Sequence, residues 1–383
     1  MKVLIIGGTG IISTSVVDEC IRQGYDVSML NRGNNTRFIN PKATHIKCNV
    51  YNAEDVKAKL EGKYYDAVID FLVRTRAEIE YSMSLFSKVA DQYVFISSAQ
   101  AYNTSIEGIL REDSELSQPQ WAYSVNKVIC EKYVVQKCKE LNQNYTIIRP
   151  GVNYGNTRIP YGMFPFIGSH WTMVARIKAD KPIITWNNGQ NKLNLTRVED
   201  FASGAVGLIG NPKAYNEIFN VVGDYVYTWH EVLEVLGKLI NHKVRTIDMP
   251  VEFYANELDG DTREGLIGGR ANDMVCSNEK LKSVVPNYKT KYTLEKGLEL
   301  TLDFYRENDY YMGFDYNWEG VTDRVIKKYL KSTGKDSIQN LHFINYENRG
   351  DKAKNYRIYK DALNKFDKNA GLLNKFYSKI RIL

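Results

Sequence analysis

The amino-acid sequence predicts an α/β fold, a doubly wound parallel sheet with helices on both faces. Three observations support this prediction. Short β-branched runs alternate with segments of helical periodicity through the first 150 residues. The first run ends in a glycine turn, and no apolar stretch approaches the ~18 residues of a membrane-spanning helix. We therefore expect a large folded protein around an α/β core, without a secretory signal.

The alternation assigns each element in order along the chain. Strands are predicted at 2–6, 25–30, 43–50, 67–73, 93–97 and 145–149, and helices at 13–23, 53–61, 75–90, 121–140, 229–239 and 293–306. Strands joined by helices at this spacing need right-handed crossovers, so the strands run parallel. The region 153–192 is predicted to form irregular loops and short helices, which often cover a substrate.

Composition and charge restrict the functional classes. Of the 383 residues, 43% are hydrophobic and 25% are charged, which is typical of folded globular proteins. The five cysteines include no C-x-x-C pair, so we expect reduced thiols, no metal site and a cytoplasmic location. Residues 349–383 carry ten Lys or Arg against three Asp, a net charge of +7, so residues 1–348 carry −1 of the total net charge of +6. The main body therefore has no basic excess that would require a polyanionic partner.

A glycine turn, Gly7-Gly8-Thr9-Gly10-Ile11-Ile12-Ser13, connects the first strand to the first helix. Gly7 permits a tight turn, and Gly10 lacks the Cβ that would obstruct a pyrophosphate held by the N–H groups of the helix N-terminus. The turn predicts a dinucleotide site in a Rossmann domain, formed by Gly7, Thr9, Gly10, Ile11 and Ile12. Ser13 stands where a third glycine is usual. A turn that serves packing alone is the alternative.

The end of the second strand indicates which dinucleotide binds. Asn31 and Arg32 stand there, without the carboxylate that would accept hydrogen bonds from a ribose diol. Since a guanidinium pairs well with a 2′-phosphate, Arg32 favours NADP, with NAD as the alternative. A solvated Arg32 without a ligand is also compatible with the pattern. Asn49 and Val50 are candidates to contact the adenine.

Tyr123 and Lys127 lie one helical turn apart, on one face of the predicted helix 121–140. An ammonium group at Lys127 would stabilise the phenolate of Tyr123, so that it could act as a base near neutral pH. Ser98 follows the strand 93–97, and its hydroxyl could hold the substrate oxygen for proton transfer. Without the glycine turn, an ordinary exposed Tyr/Lys pair would be the simpler interpretation.

These motifs together resemble the extended short-chain dehydrogenase/reductase family, the NAD-dependent epimerase/dehydratase group. The matching segments are GGTGIIS at 7–13, ISSAQAY at 96–102, YSVNK at 123–127, IIRPGVNYG at 147–155 and TRVEDFASG at 196–204. The resemblance implies that Tyr123 is the acid/base, that Lys127 binds the nicotinamide ribose, and that Ser98 completes the triad. It also implies that Pro150 packs near the nicotinamide, that Phe71 contacts the cofactor, and that the protein is a homodimer.

Departures from the family pattern narrow the expected reaction. Dehydratases of the family carry an Asp-Glu pair after the serine position, where this chain has Ala99 and Gln100. Neither exchanges a proton at neutral pH, so sugar 4,6-dehydration is not expected, and Gln100 becomes a substrate contact. Asn153 is displaced by one position from the asparagine that usually binds substrate. Lys192 and Arg270 are candidates to bind a diphosphate.

The resulting hypothesis is an NAD(P)-dependent epimerase or reductase that acts by hydride transfer on a nucleotide-activated sugar. Trp171, Trp186 and Tyr161 are candidates to stack on a base, with packing as the alternative. The second hypothesis is a cofactor-binding scaffold that holds RNA or another polyanion through its basic tail. The tail, 340–383, is amphipathic and could also lie on a membrane surface or on another subunit.

The sequence predicts three parts of the chain. Residues 1–155, with about 193–228, form the dinucleotide-binding domain. Residues of about 156–192 and 229–330 form a smaller substrate domain, and 331–383 form a basic, amphipathic C-terminal extension.

Overall fold

The computed structural model describes residues 1–116, 121–160, 169–308, 313–335 and 341–364. The chain divides into two compact units. The first comprises Met1–Gly155, Leu193–Tyr227 and Asp273–Thr293, and the second comprises Asn156–Lys192, Thr228–Asn272 and Leu294–Leu383.

Two differences from the predicted boundaries stand out. Residues 273–293 belong to the first unit, because Met274 and Cys276 form bridges with Leu193 and Leu110 and Tyr288 is part of the core of that unit. The described residues after 330, which are 331–335 and 341–364, belong to the second unit instead of forming a separate extension.

The strands are β1 Lys2–Ile6, β2 Asp26–Asn31, β3 Thr44–Lys47, β4 Tyr65–Asp70, β5 Ala90–Ile96, β6 Asn144–Pro150, β7 Val152–Tyr154, β8 Ile183–Thr185, β9 Lys192–Arg197, β10 Glu217–Val221, β11 Val226–Thr228 and β12 Thr246–Asp248. The helices are α1 Ile11–Arg22, α2 Ala53–Leu60, α3 Arg76–Phe86, α4 Ala122–Leu141, α5 Trp171–Lys178, α6 Val198–Val206, α7 Trp229–Leu239, α8 Val251–Asn256, α9 Gly260–Gly265, α10 Glu279–Val284, α11 Leu294–Glu307, α12 Tyr316–Ser332 and α13 Lys352–Asn364.

The first unit contains a seven-stranded sheet in the order β10-β6-β5-β4-β1-β2-β3, whose pairs are parallel. This confirms the predicted doubly wound α/β fold. Six of its strands were predicted, and β10 was missed because its short sequence, EIFNV, interrupts the apolar run with the buried Asn220. The strand is held by its pairing with β6, a contact distant in sequence.

Alternate residues of β1 point to opposite faces of this sheet and into two separate cores. Val3 and Ile5 pack with α1 and α6 on one face, whereas Leu4 and Ile6 pack with the helices of the other face. Both faces are thus covered, as a parallel sheet requires. The carboxyl ends of β1, β2, β4 and β5 therefore meet along one edge, where the predicted site residues follow.

The second unit is mainly helical and contains the parallel pair β8 and β12. Helix α5 and the residues after it contact α12 through four buried charged side chains, Arg176, Lys181, Glu319 and Asp323, which we call the ion quartet. Lys181 Nζ lies 2.5 Å from Glu319 Oε1 and 2.6 Å from Asp323 Oδ2. Tyr359 of α13 donates a hydrogen bond to Asp323 over 2.8 Å, so the described part of the predicted tail packs into this unit. Residues 365–383 lie outside the described residues.

No helix within the described ranges is long and apolar enough to cross a bilayer. All five cysteines are buried, unpaired thiols.

Candidate functional site

The glycine turn after β1 adopts a conformation that side chains would resist. Gly7 has φ +107° and Gly8 has φ +87°, both in the region that favours glycine. A Cβ on Gly8 would lie 2.7 Å from Cε of Met29, which is closer than atoms can approach. The tight turn was predicted from Gly7, but the close packing of Gly8 against Met29 was not.

Helix α1 begins after Gly10, with its first N–H groups at the end of the turn. The buried Ser13 hydroxyl accepts a hydrogen bond from Gly10 N–H over 2.9 Å. This contact explains why a serine is tolerated where a third glycine is usual. The N–H groups of Ile11 and Ile12 belong to the first turn, which has no acceptor within the helix, and remain suited to an anion.

Asn31, predicted to contact the cofactor, fixes the turn in place. Its amide donates to Gly7 carbonyl oxygen over 2.7 Å. Its Oδ1 accepts from Gly33 N–H over 2.9 Å and lies 3.0 Å from Nε2 of His45. Arg32 is exposed next to it and makes no hydrogen bond or ion pair with any described side chain. The guanidinium group is thus placed at the end of β2 without a protein partner within the described residues.

Asn49 and Val50 follow β3, where they take part in a turn. Asn49 Oδ1 accepts a hydrogen bond from Tyr51 N–H over 3.2 Å, and Val50 carbonyl oxygen accepts one from the Tyr81 hydroxyl over 3.0 Å. The side chain of Val50 is half-buried and that of Asn49 is exposed. Phe71 begins the loop after β4, and its Cβ lies 3.7 Å from the position that a Cβ on Gly7 would take.

Helix α4 presents Tyr123 and Lys127 on one face. The Lys127 ammonium lies 5.9 Å from the centroid of the Tyr123 ring and 4.9 Å from that of Phe95. It donates hydrogen bonds to the carbonyl oxygens of Val73, over 2.8 Å, and of Ile96, over 3.0 Å. Burial lowers the pKa of Lys127 to about 8. The charge of this ammonium is therefore sensitive to its neighbours near neutral pH.

Ser97 and Ser98 have different roles at the end of β5. The buried Ser97 hydroxyl donates to Glu131 over 2.5 Å. Ser98 is partly exposed, and its hydroxyl accepts the N–H of Gln100 over 3.2 Å. Ser98 is thus the serine whose hydroxyl hydrogen is not committed to Glu131, and its catalytic role stays a prediction.

A buried ion pair that the sequence motifs did not predict lies next to these residues. Arg149 of β6 donates to both carboxylate oxygens of Glu131 on α4, over 2.9 and 2.6 Å, and both residues are almost fully buried. The Glu131–Arg149 pair thereby joins α4, which carries Tyr123 and Lys127, to the strand that ends in Pro150. Glu131 follows Lys127 by four residues, so the helical periodicity of 123, 127 and 131 was a signal for it.

The predicted substrate residues are divided between the two units. Gln100 and Asn153 belong to the first unit, and the buried oxygens Oε1 of Gln100 and Oδ1 of Asn153 have no hydrogen-bond partner among the described residues. Asn153 donates to Gly151 carbonyl oxygen over 3.1 Å. Lys192, exposed, and Arg270, half-buried, belong to the second unit.

The aromatic candidates have packing roles or lie near a cavity of the second unit. Trp171 is buried, stacks on Tyr305 with centroids 5.7 Å apart and donates to Glu347 over 3.2 Å. Packing, the alternative interpretation, therefore accounts for it. Trp186 lines a cavity of about 390 Å³ together with Asp248 and Tyr329. Tyr161 lies outside the described residues.

Comparisons with known proteins agree with this architecture. A model of the NAD dependent epimerase/dehydratase family matches residues 3–222. The "Chloroplast stem-loop binding protein of 41 kDa b" of Arabidopsis thaliana is 27% identical over 320 residues, 80% of each chain. A UDP-glucose 4-epimerase of Vibrio cholerae is 22% identical over 60% of this chain and 67% of its own.

Solved structures share the fold at low sequence identity. Epimerase Mth375 of Methanothermobacter thermautotrophicus superimposes with a TM-score of 0.67 at 16% identity, covering 81% of this chain and 94% of its own. A UDP-glucuronic acid 4-epimerase of Bacillus cereus, solved with UDP-glucuronic acid and NAD, gives a TM-score of 0.63 at 19% identity, covering 80% and 99%.

Proposed function

Because this chain belongs to the NAD-dependent epimerase/dehydratase family, we propose that it is an NAD(P)-dependent epimerase or reductase that acts by hydride transfer on a nucleotide-activated sugar. The observation that carries this proposal is the arrangement of Tyr123 and Lys127 on α4, with Lys127 hydrogen-bonded to Ile96 at the end of β5. Ser98 lies two residues after the end of that strand. A Tyr, a Lys and a Ser in this arrangement can move a proton to and from a sugar hydroxyl.

The glycine turn fits a dinucleotide cofactor. Positive φ angles at Gly7 and Gly8, and the lack of a Cβ on Gly10, leave the backbone open for close approach of a pyrophosphate. When bound, the nicotinamide would supply the acceptor or donor of the hydride. The N–H groups of Ile11 and Ile12 would hold the phosphates, and Lys127 would hold the ribose.

The chain's own residues account for the proton in this reaction. The phenolate of Tyr123 takes the proton of the sugar hydroxyl as the hydride leaves the carbinol carbon, and it returns the proton in the reverse step. The positive charge of Lys127 favours that phenolate. The Ser98 hydroxyl orients the sugar oxygen. Ala99 and Gln100 supply no carboxylate for elimination of water, so the proposal excludes 4,6-dehydration.

Arg32 supports NADP as the preferred cofactor. Its exposed guanidinium stands at the end of β2, and no carboxylate stands beside it in the sequence Leu30-Asn31-Arg32-Gly33. A 2′-phosphate would pair with it, whereas a ribose diol would gain less. NADPH should therefore bind more tightly than NADH, and Arg32→Ala should remove most of that difference.

The function is tested with purified protein, added NADPH or NAD⁺, and a panel of nucleotide sugars that includes UDP-glucose and UDP-glucuronic acid. Loss of absorbance at the nicotinamide band in proportion to product indicates reduction, and product without such loss indicates epimerisation. Tyr123→Phe should lower turnover by about 10²–10⁴-fold. Tyr64→Phe, an exposed tyrosine of the same unit, is the matched control. Full turnover by Tyr123→Phe would remove Tyr123 from the proposed role.

A second candidate function is the binding of a structured RNA. The Arabidopsis relative, whose name states stem-loop binding, covers 80% of this chain. Residues 349–383 also carry ten basic against three acidic residues. Replacement of the basic residues in 365–383 by Gln should weaken retention of an RNA stem-loop and flatten its salt dependence. Unchanged retention and salt slope would argue against this function.

A further inference from the structure

Asp70, the last residue of β4, is a buried carboxylate beside the candidate site. It is 1% exposed. One of its oxygens accepts the hydroxyls of Ser82 and, over 3.1 Å, Tyr93, and the other accepts Leu72 N–H over 2.8 Å. All three donors are neutral. A carboxylate buried among neutral donors needs a further reason to be retained, because burial of an uncompensated charge is costly.

The strand pairing places Asp70 near Lys127. Asp70 is paired with Phe95 across β4 and β5, and the Lys127 ammonium lies 4.9 Å from the centroid of the Phe95 ring. That ammonium donates to Val73 carbonyl oxygen, three residues after Asp70. The carboxylate and the ammonium therefore hold the same loop, Asp70 through Leu72 N–H and Lys127 through Val73 carbonyl oxygen.

Few other groups can compensate the charge of Lys127. Among the described residues, the charged or titratable groups that act most on it are Asp70 and Arg74 around the end of β4, and Tyr123, Cys130 and Glu131 of its own helix. Arg74 repels it. Glu131 is bound on both oxygens by Arg149. Burial raises the pKa of the Cys130 thiol to about 12, so this group is neutral.

We propose that Asp70 is a positioning residue of the candidate site, whose carboxylate, held by Ser82 and Tyr93, keeps Lys127 protonated and in place beside Tyr123. The catalytic consequence rests on the proposed function, since Lys127 supports the Tyr123 phenolate only if hydride transfer occurs there. The electrostatic part concerns the protein alone.

The direction of the effect follows from the charges. Burial raises the pKa of Asp70, and the hydrogen bonds from Ser82, Leu72 and Tyr93 and the charge of Lys127 oppose that increase. Burial lowers the pKa of Lys127 to about 8, and the negative charge of Asp70 opposes that decrease. Without the carboxylate, Lys127 should lose its proton at a lower pH, and the alkaline limit of activity should move to lower pH with it.

The test is a pH titration of Lys127 in the full-length protein by NMR of ¹³C-labelled lysine side chains, with the resonance assigned by its absence in Lys127→Met. Asp70→Asn keeps the shape and should lower the midpoint by about one pH unit or more, a tenfold change in proton affinity. Asp66→Asn, on the same strand and bound to Lys2 N–H, is the matched control and should leave the midpoint unchanged. Ser82→Ala removes one donor to the carboxylate and should shift the midpoint in the same direction by less.

Equal midpoints in the wild type, Asp70→Asn and Ser82→Ala would overturn the proposal. If Asp70→Asn fails to fold, the proposal is tested by titration of Lys127 in Ser82→Ala and in Tyr93→Phe. Unchanged midpoints in both variants would overturn the proposal. Because this readout needs neither cofactor nor substrate, absence of turnover in the wild type would reject the proposed function without affecting the titration. Where the wild type is active, an alkaline limit that moves to lower pH in Asp70→Asn would support the positioning role.

Discussion

Each unit of the molecule contains a buried group of charges, and the two groups have different neighbours. In the first unit, the Glu131–Arg149 pair joins the helix of Tyr123 and Lys127 to β6, and Ser97 completes it. In the second unit, the ion quartet joins α5 to α12, with Tyr346 and Tyr359 as further donors. No candidate catalytic residue is part of the ion quartet.

The different neighbours of the two charge groups indicate that buried ion pairs serve two purposes in this protein. Buried ion pairs add little stability compared with apolar residues, but the loss of one partner leaves an uncompensated charge and is strongly destabilising. In the first unit the pair fixes elements that carry site residues. In the second unit the quartet fixes the C-terminal helices. We therefore expect stability and turnover to decline together for the first group, and stability alone to decline for the second.

The largest effect is expected for Glu131→Gln. The buried Arg149 loses its charge partner, which should cost about 3–5 kcal/mol of unfolding free energy. A small displacement of α4 should also lower turnover by about 10²-fold. Thermal unfolding and turnover of the folded protein are the measurements. The double variant Glu131→Met, Arg149→Met should recover stability but not turnover. Full turnover by Glu131→Gln would refute the role of Glu131 in positioning α4.

Lys181→Met should reduce stability by a similar amount without affecting turnover. The two carboxylates of the quartet would share Arg176 alone, so a net negative charge would remain buried, which should cost about 3–5 kcal/mol. Tryptophan fluorescence reports on this unit, because Trp171, Trp186, Trp229 and Trp318 belong to it and Trp121 belongs to the other. Turnover is measured at a temperature well below the unfolding of the variant. Reduced turnover of the folded variant would contradict the expectation that the ion quartet affects stability alone.

The smallest effects are expected for a matched pair of Tyr→Phe variants. The Tyr359 hydroxyl donates to the Asp323 carboxylate over 2.8 Å, and the Tyr81 hydroxyl donates to the Val50 carbonyl oxygen over 3.0 Å. Hydrogen bonds to charged acceptors contribute about 1.5–3 kcal/mol and those to neutral ones about 0.5–1.5 kcal/mol. Tyr359→Phe should therefore lower the unfolding temperature more than Tyr81→Phe does. The reverse order would contradict an ionised Asp323.

The sheet was largely predictable from sequence because its strands are continuous apolar runs separated by helical periodicity. β10 was missed because its apolar run is short and its position depends on pairing with β6, far away in sequence. Residues 273–293 were assigned to the other unit for a similar reason. Their contacts with Leu110 and Leu193 are set by the tertiary fold and leave no local signal.

The candidate site was predictable where residue spacing implies proximity. Tyr123 and Lys127 share a helix face, and Ser98 follows a strand. The role of Asp70 was not predicted, because its donors Ser82 and Tyr93 come from other elements and become neighbours only in the folded chain. The Glu131–Arg149 pair was not predicted for the same reason, because its members lie on different elements. The four-residue spacing of Glu131 from Lys127 was nevertheless a usable signal.

The central claim is that hydride passes between a sugar and a nicotinamide beside Tyr123. The most direct measurement is isotope transfer: protein loaded with NADP⁺ or NAD⁺ is incubated with nucleotide sugars deuterated at their ring carbinol carbons. The mixture is quenched during turnover in alkaline methanol, because an epimerase would return the label to the sugar at the end of each cycle, and the reduced nicotinamide is analysed by mass spectrometry. We predict deuterium in the reduced nicotinamide from the wild type and a strongly reduced amount from Tyr123→Phe. A wild-type protein that binds the dinucleotide and yields no deuterated reduced nicotinamide with any sugar of the panel would contradict the account.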